Sequence, residues 1–118
     1  MPLPIFDRNQ GNIEAARANV RGAEASRAGA LANATVRARN AIANVDAATA
    51  RVDALERAAI PQAAEALRLA ELSSRAGKVS LLELLDAQEA YAAAQTALIE
   101  ARAAQALATA ELGRVAAQ

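Results

Sequence analysis

The chain is 118 residues long, with 13 basic and 13 acidic side chains, no His and no Cys. Thirty-seven residues are Ala, and Ala, Glu, Lys, Leu and Arg together make up 72 of the 118, the signature of long helices and coiled coils rather than of a mixed domain. Without Cys there is no disulfide framework or thiolate site, without His the commonest near-neutral proton carrier and metal ligand is missing, and zero net charge with scattered arginines leaves no nucleic-acid footprint.

Residues 1–10, MPLPIFDRNQ, differ from everything after them. Pro2 and Pro4 favour an extended path, and Leu3, Ile5 and Phe6 suit the end of a β-strand. Asp7 and Arg8 interrupt any apolar run, so the segment does not read as a signal peptide. Asn9 or Asn12 suits the cap of a following helix, with Glu14 placing negative charge in its first turn.

From Asn12 to Arg75 the sequence is almost unbroken helix former. Ile13 and Val20, then Ile42, Val45, Val52 and Leu55, then Ile60 and Leu67 recur at helical spacing, the pattern of a narrow coiled-coil seam filled out by Ala. Gly22 and Gly29 lie seven apart on one face, and the cost of Gly in a helix favours close approach of another helix there over neutral drift. Pro61 is the interior breaker. It either kinks a helix that would span about 96 Å from Asn12 to Arg75 or splits that helix in two, the second case allowing a three-helix arrangement.

The run stops at Ser73-Ser74-Arg75-Ala76-Gly77-Lys78. Gly77 suits a left-handed helix-terminating position, and Ser80 with Glu83 forms an S-x-x-E capping box for the next helix. The predicted fold is therefore all-α: a long antiparallel helical hairpin with unequal arms. The long arm covers 12–75, the turn 76–80 and the return arm 81–116, after a short extended segment over 1–10. The return seam is expected at Leu81, Leu84 or Leu85, Gln88, Tyr91, Gln95, Leu98 and Leu107. The stretch 12–40 has no partner in this arrangement and needs one from elsewhere, because amphipathic helices draw their stability from packing.

No catalytic constellation is present. Glu83 and Asp86 sit three apart on one helix face, but acid–base work needs a pocket and shifted pKa values. Helix capping and solvation account for both. The scattered Asp7, Asp46, Asp53 and Asp86 do not make a metal site. The four leucines among residues 81–85 stand out in an Ala-rich chain. Leu81, Leu84 and Leu85 suit the hairpin interior, whereas Leu82 points elsewhere, as a docking contact would.

Gly77-x-x-Ser80-Leu81-Leu82-Glu83-Leu84-Leu85-Asp86-Ala87-Gln88, following a long Ala/Arg/Glu helix, resembles the C-terminal repeat of the TolC family of outer-membrane efflux ducts. Leu3-Pro4-Ile5-Phe6-Asp7-Arg8-Asn9-Gln10-Gly11 resembles that family's exit from its last β-barrel strand. This wording and Ile60-Pro61-Gln62-Ala63 are closest to the heavy-metal (cobalt–zinc–cadmium type) branch. The resemblance covers essentially the whole chain. It implies a homotrimer whose protomers add strands to an outer-membrane barrel and long helices to a periplasmic helical barrel, with an upstream helix covering 12–40. It also implies a tip, matched by Gly77, Val79, Ser80, Leu81 and Leu82, that meets a periplasmic adaptor linked to an inner-membrane pump. Glu83 and Asp86 match the acidic ring of the tip aperture, where like-charge crowding attracts cations.

There are two departures. Ser74 stands where the family usually carries Tyr or Phe, and Val79 replaces a basic residue that ties the closed tip in some members. The first repeat, the strands and a leader are not in this sequence, so the resemblance describes one part of a duct.

The sequence therefore reads as the helical-barrel part of a passive export conduit in the outer membrane and periplasm, with no cofactor and no enzymatic activity. A free-standing Ala-rich coiled-coil scaffold uses the same composition. A lipid-coating amphipathic helix ranks below both, because it wants bulkier apolar faces and a basic flank.

Overall fold

The computed structural model describes residues 3–117. Its elements are α1 (Leu3–Ala54), a π-helical turn (Leu55–Ala59), α2 (Ile60–Arg75) and α3 (Leu81–Ala116). Among the described residues there is no strand, and no helix is long and apolar enough to cross a membrane. The chain divides into two compact units, Met1–Arg37 and Ala38–Gln118.

The first unit corrects one expectation. Met1 and Pro2 lie outside the described residues, but helix α1 already begins at Leu3, where an extended path was expected over 1–10. Pro4 falls in the first helical turn. There its missing N–H has no intrahelical partner to lose, and its fixed φ already suits a helix. From Asn9 to Arg37 every residue is exposed, including Ile13, Val20, Leu31 and Val36. Gly22 and Gly29 face no other helix of this chain. A Cβ built on either meets nothing within 4 Å, so no close approach is made at these positions in this structure.

The second unit is an antiparallel hairpin. Arg102 donates to Glu56 and Gln105 donates to Thr49, so numbers rise along α3 as they fall along the long arm. The inward positions of α3 are Leu84, Ala87, Tyr91, Ala94, Leu98, Ala101, Gln105, Ala108, Leu112 and Val115, all half-buried or buried, in alternating steps of three and four. That is an unbroken heptad seam. On the long arm the inward residues are Ala38, Ala41, Val45, Ala48, Val52, Leu55 and Ala59, followed by Ile60, Ala63, Leu67, Ala70 and Ser74. Burial is shallow: among the described residues only Ala41, Val52 and Ala101 are buried, and no buried side-chain nitrogen or oxygen lacks a partner.

The return seam therefore holds Leu84, Tyr91 and Leu98 as expected, but Ala87, Ala94 and Ala108 in place of Gln88, Gln95 and Leu107, which are exposed. Leu81 and Leu85 are also exposed rather than interior. The heptad phase set by Leu84 turns Leu85 about 100° away from the seam. Leu81 is the first residue of α3, beyond the end of the facing helix at Arg75.

Pro61 does not break the long arm. Ala54, Ala59 and Ile60 all keep right-handed helical backbone, and the Ile60 N–H donates to the Leu55 carbonyl five residues back. In an α-turn the Pro61 ring would meet the carbonyl of Arg57. Widening the preceding turn to π spacing absorbs that conflict while the helix continues.

Gly77 has φ +72° and is the only described residue with positive φ, whereas the other glycines have helical backbone. Gly77→Ala is expected to lower stability by about 1–2 kcal/mol, because an L-residue pays for left-handed backbone. Gly22→Ala and Gly29→Ala are expected to raise helix stability by about 1 kcal/mol each. Urea titration followed by far-UV circular dichroism measures all three. A stabilised Gly77→Ala would remove the left-handed role of this residue.

Candidate docking tip

The tip is built by two capping devices placed back to back. At the end of α2 the Lys78 N–H donates to the Ser73 carbonyl at 2.8 Å and the Gly77 N–H to the Ser74 carbonyl at 3.0 Å. This is a Schellman motif with Gly77 as its left-handed residue. Ser73 and Ser74 are half-buried and contribute their carbonyls, so the turn closes through backbone at the place where an aromatic ring was expected by resemblance.

At the start of α3, Ser80 has extended backbone and closes a reciprocal pair. Its hydroxyl accepts from the Glu83 N–H at 3.2 Å, and its own N–H donates to the Glu83 carboxylate at 3.3 Å. Two otherwise orphaned donors are satisfied. The carboxylate also lies against the positive end of the α3 dipole.

These caps hold the five expected tip residues together in one short turn and the helix start behind it. Gly77 and Ser80 are exposed, Val79 is half-buried, and Leu81 and Leu82 are each 68% exposed. Glu83 and Asp86 lie on the exposed side of the first turns of α3, with Glu83 engaged by the cap. Leu69, Leu72 and Leu85 extend the exposed apolar surface onto both arms. Leu69 and Leu72 lie off the seam that Leu67 and Ala70 define, and their phase relative to Leu67 was the signal for them in the sequence.

Exposed ion pairs dress the rest of the hairpin. Arg68 donates to Glu65 at 2.6 Å, and its guanidinium holds that carboxyl below its ordinary range. Arg57 faces Asp53 at 3.6 Å, and Arg114 pairs with Glu111. Such pairs contribute little each. Among the described residues no three His, Cys, Asp or Glu side chains converge as a metal site.

The sequence profile of the outer membrane efflux protein family matches residues 1–118. No curated protein and no solved structure matches the chain.

Ser80→Ala removes the side-chain half of the cap and is expected to cost about 1 kcal/mol, with Ser80→Asp retaining most of the stability. Amide exchange at Glu83 reads the cap directly. Equal protection in the Ser80→Ala variant and the parent would show that the box does not hold the tip.

Proposed function

The chain belongs to the outer membrane efflux protein family, whose members are channels rather than enzymes. From that premise we propose that its hairpin is a helical section of the export conduit and that the Gly77 end is the tip at which the conduit docks a periplasmic adaptor. The observation that carries the docking role is the exposed apolar surface at this end of the hairpin: Leu81, Leu82 and Leu85 after a doubly capped turn and Leu69 and Leu72 on the helix before it are 45–68% exposed. Full burial of a leucine is worth roughly 1.5–3 kcal/mol, so even partial cover of this cluster by a partner would hold a joint.

Assembly with further copies accounts for the rest of the surface. Ile99 and Leu107 on the outward side of α3 are 69% and 72% exposed, and Leu31 and Val36 on α1 are 59% and 54% exposed. Neighbouring helices in a trimeric barrel would cover such faces. The free-standing scaffold reading would also cover them by self-association, but it gives no reason for the family match along the full chain.

Cationic cargo, including heavy-metal ions, suits the charge of the return arm. Residues 81–116 carry five acidic side chains, Glu83, Asp86, Glu89, Glu100 and Glu111, against two basic ones, Arg102 and Arg114. Both arginines are engaged, with Glu56 and Glu111. Glu83 and Asp86 from three protomers would ring the aperture with carboxylates and favour cations there. A conduit needs no tight ligand set, since an ion that binds strongly is released slowly.

A charged substitution at the tip, Leu82→Asp or Leu82→Lys, is expected to abolish export in cells carrying the full-length protein while its abundance in the outer membrane stays unchanged. Growth on a toxic metal-salt series, with an immunoblot for abundance, checks this. Undiminished tolerance in both variants would reject the docking role.

A further inference from the structure

The two arms of the hairpin do not keep the same phase. On α3 the three-four repeat runs unbroken from Leu84 to Val115. On the long arm the repeat from Ala38 to Ala59, continued in step, would turn Gln62, Ala66 and Leu69 inward. Those three are exposed, and Ile60, Ala63, Leu67 and Ala70 face inward instead. The long arm therefore holds one residue more than the seam needs. The π turn Leu55–Ala59 is where that residue is absorbed, through the Ile60 N–H bond to the Leu55 carbonyl.

A surplus residue is not tied to one place by chain length. A π bulge is one wide turn within a helix, and each residue it passes is rotated by about 100° relative to its neighbours. Two features hold it at 55–59. Pro61 would clash with the carbonyl four residues back in a tight α-turn at this point. From the opposite arm, the Arg102 guanidinium reaches the π turn and donates to Glu56 at 2.5 Å and 3.2 Å. Beside that bond, Ala101 is the most deeply buried residue of the hairpin, at 2% exposure. The Arg102–Glu56 pair itself is exposed on both sides, so it is a weak latch. The two phases bury similar leucines, Leu67 in one and Leu69 in the other, and differ mainly in placing Ile60 or Gln62 against α3.

We propose that the π turn is a movable joint that sets the rotational phase of the tip arm, with Pro61 and the Glu56–Arg102 pair holding it in the observed phase. When the surplus residue shifts towards the Gly77 turn, residues 60–75 rotate by one residue step. Leu69 then turns inward, Leu67 turns outward, and the apolar face beside the tip changes. The device belongs to the hairpin itself and stands whether or not the tip docks an adaptor.

The absence of Cys allows a direct test on the full 118-residue chain. Two double variants are compared by disulfide formation under mild oxidation: Leu67→Cys with Tyr91→Cys, and Leu69→Cys with Tyr91→Cys. In the parent background the 67–91 pair is expected to form faster. Adding Pro61→Ala and Arg102→Ala is expected to move the ratio about fivefold towards the 69–91 pair, the population change that ~1 kcal/mol brings. Deleting Ala58 in that same background removes the surplus residue and is expected to restore the preference for 67–91. An unchanged ratio in the Pro61→Ala, Arg102→Ala background would overturn the joint. A shifted ratio that persists after the deletion would also overturn it. Loss of both cross-links would do so too, because Pro61 and Arg102 would then hold the arms together rather than set their phase.

Discussion

Alanine alternates with larger residues along the inward face of α3, from Leu84 and Ala87 to Gln105 and Ala108, and the rest of the hairpin follows from that narrow seam. Small inward residues let two helix backbones run close together over a long distance. They also limit what the contact contributes, because burial energy scales with apolar area, at roughly 25 cal/mol per Å². Among the described residues only Ala41, Val52 and Ala101 are buried, while Leu31, Val36, Ile42, Ile99, Leu107 and other large apolar side chains remain about half exposed or more. A chain built this way keeps its larger apolar side chains for neighbours. That is the economy of a barrel wall, in which each hairpin is one stave, and it accords with membership of a family of outer-membrane efflux channels.

Capping hydrogen bonds are concentrated at the Gly77 end. The Schellman motif at Gly77 and the capping box at Ser80 satisfy the backbone of both helix ends within a turn of five residues, 76–80. The apolar surface around that turn is therefore presented on a fixed frame, which reduces the ordering cost of binding. Flexibility has its own place, at the π turn, where the long arm carries a residue that the seam does not use. One hairpin thus holds a stiff end and an adjustable stem.

Much of this was legible in the sequence, for identifiable reasons. The left-handed Gly77, the S-x-x-E box and the antiparallel pairing are local signals, and each is seen in the structure. The return seam is only partly legible from its bulky residues, because Leu81, Leu85 and Leu107 are bulky but lie off the stripe. Alanine carries the phase in this chain. Counting Ala87, Ala94, Ala101 and Ala108 at intervals of seven would have fixed it. The π turn is visible as a five-residue gap between Leu55 and Ile60 in a pattern of threes, fours and sevens, and of the two outcomes expected at Pro61 the break does not occur. The helical start at Leu3 was hidden because Pro4 reads as a breaker wherever it occurs, although in a first turn it costs nothing. The roles of Gly77, Ser80, Leu81, Leu82, Glu83 and Asp86 rest on resemblance and on exposure at the tip, and that of the half-buried Val79 on resemblance alone, since neither spacing nor geometry alone names a partner.

If this hairpin is a wall section of an outer-membrane conduit, cell fractionation will place it there. An antibody against residues 74–90 is applied to the separated outer-membrane, inner-membrane and soluble fractions of source cells. The signal is expected in the outer-membrane fraction, resistant to extraction by salt and alkaline carbonate. A signal confined to the soluble fraction would contradict it, and the hairpin would then be a free-standing helical protein that shares only the family's sequence pattern.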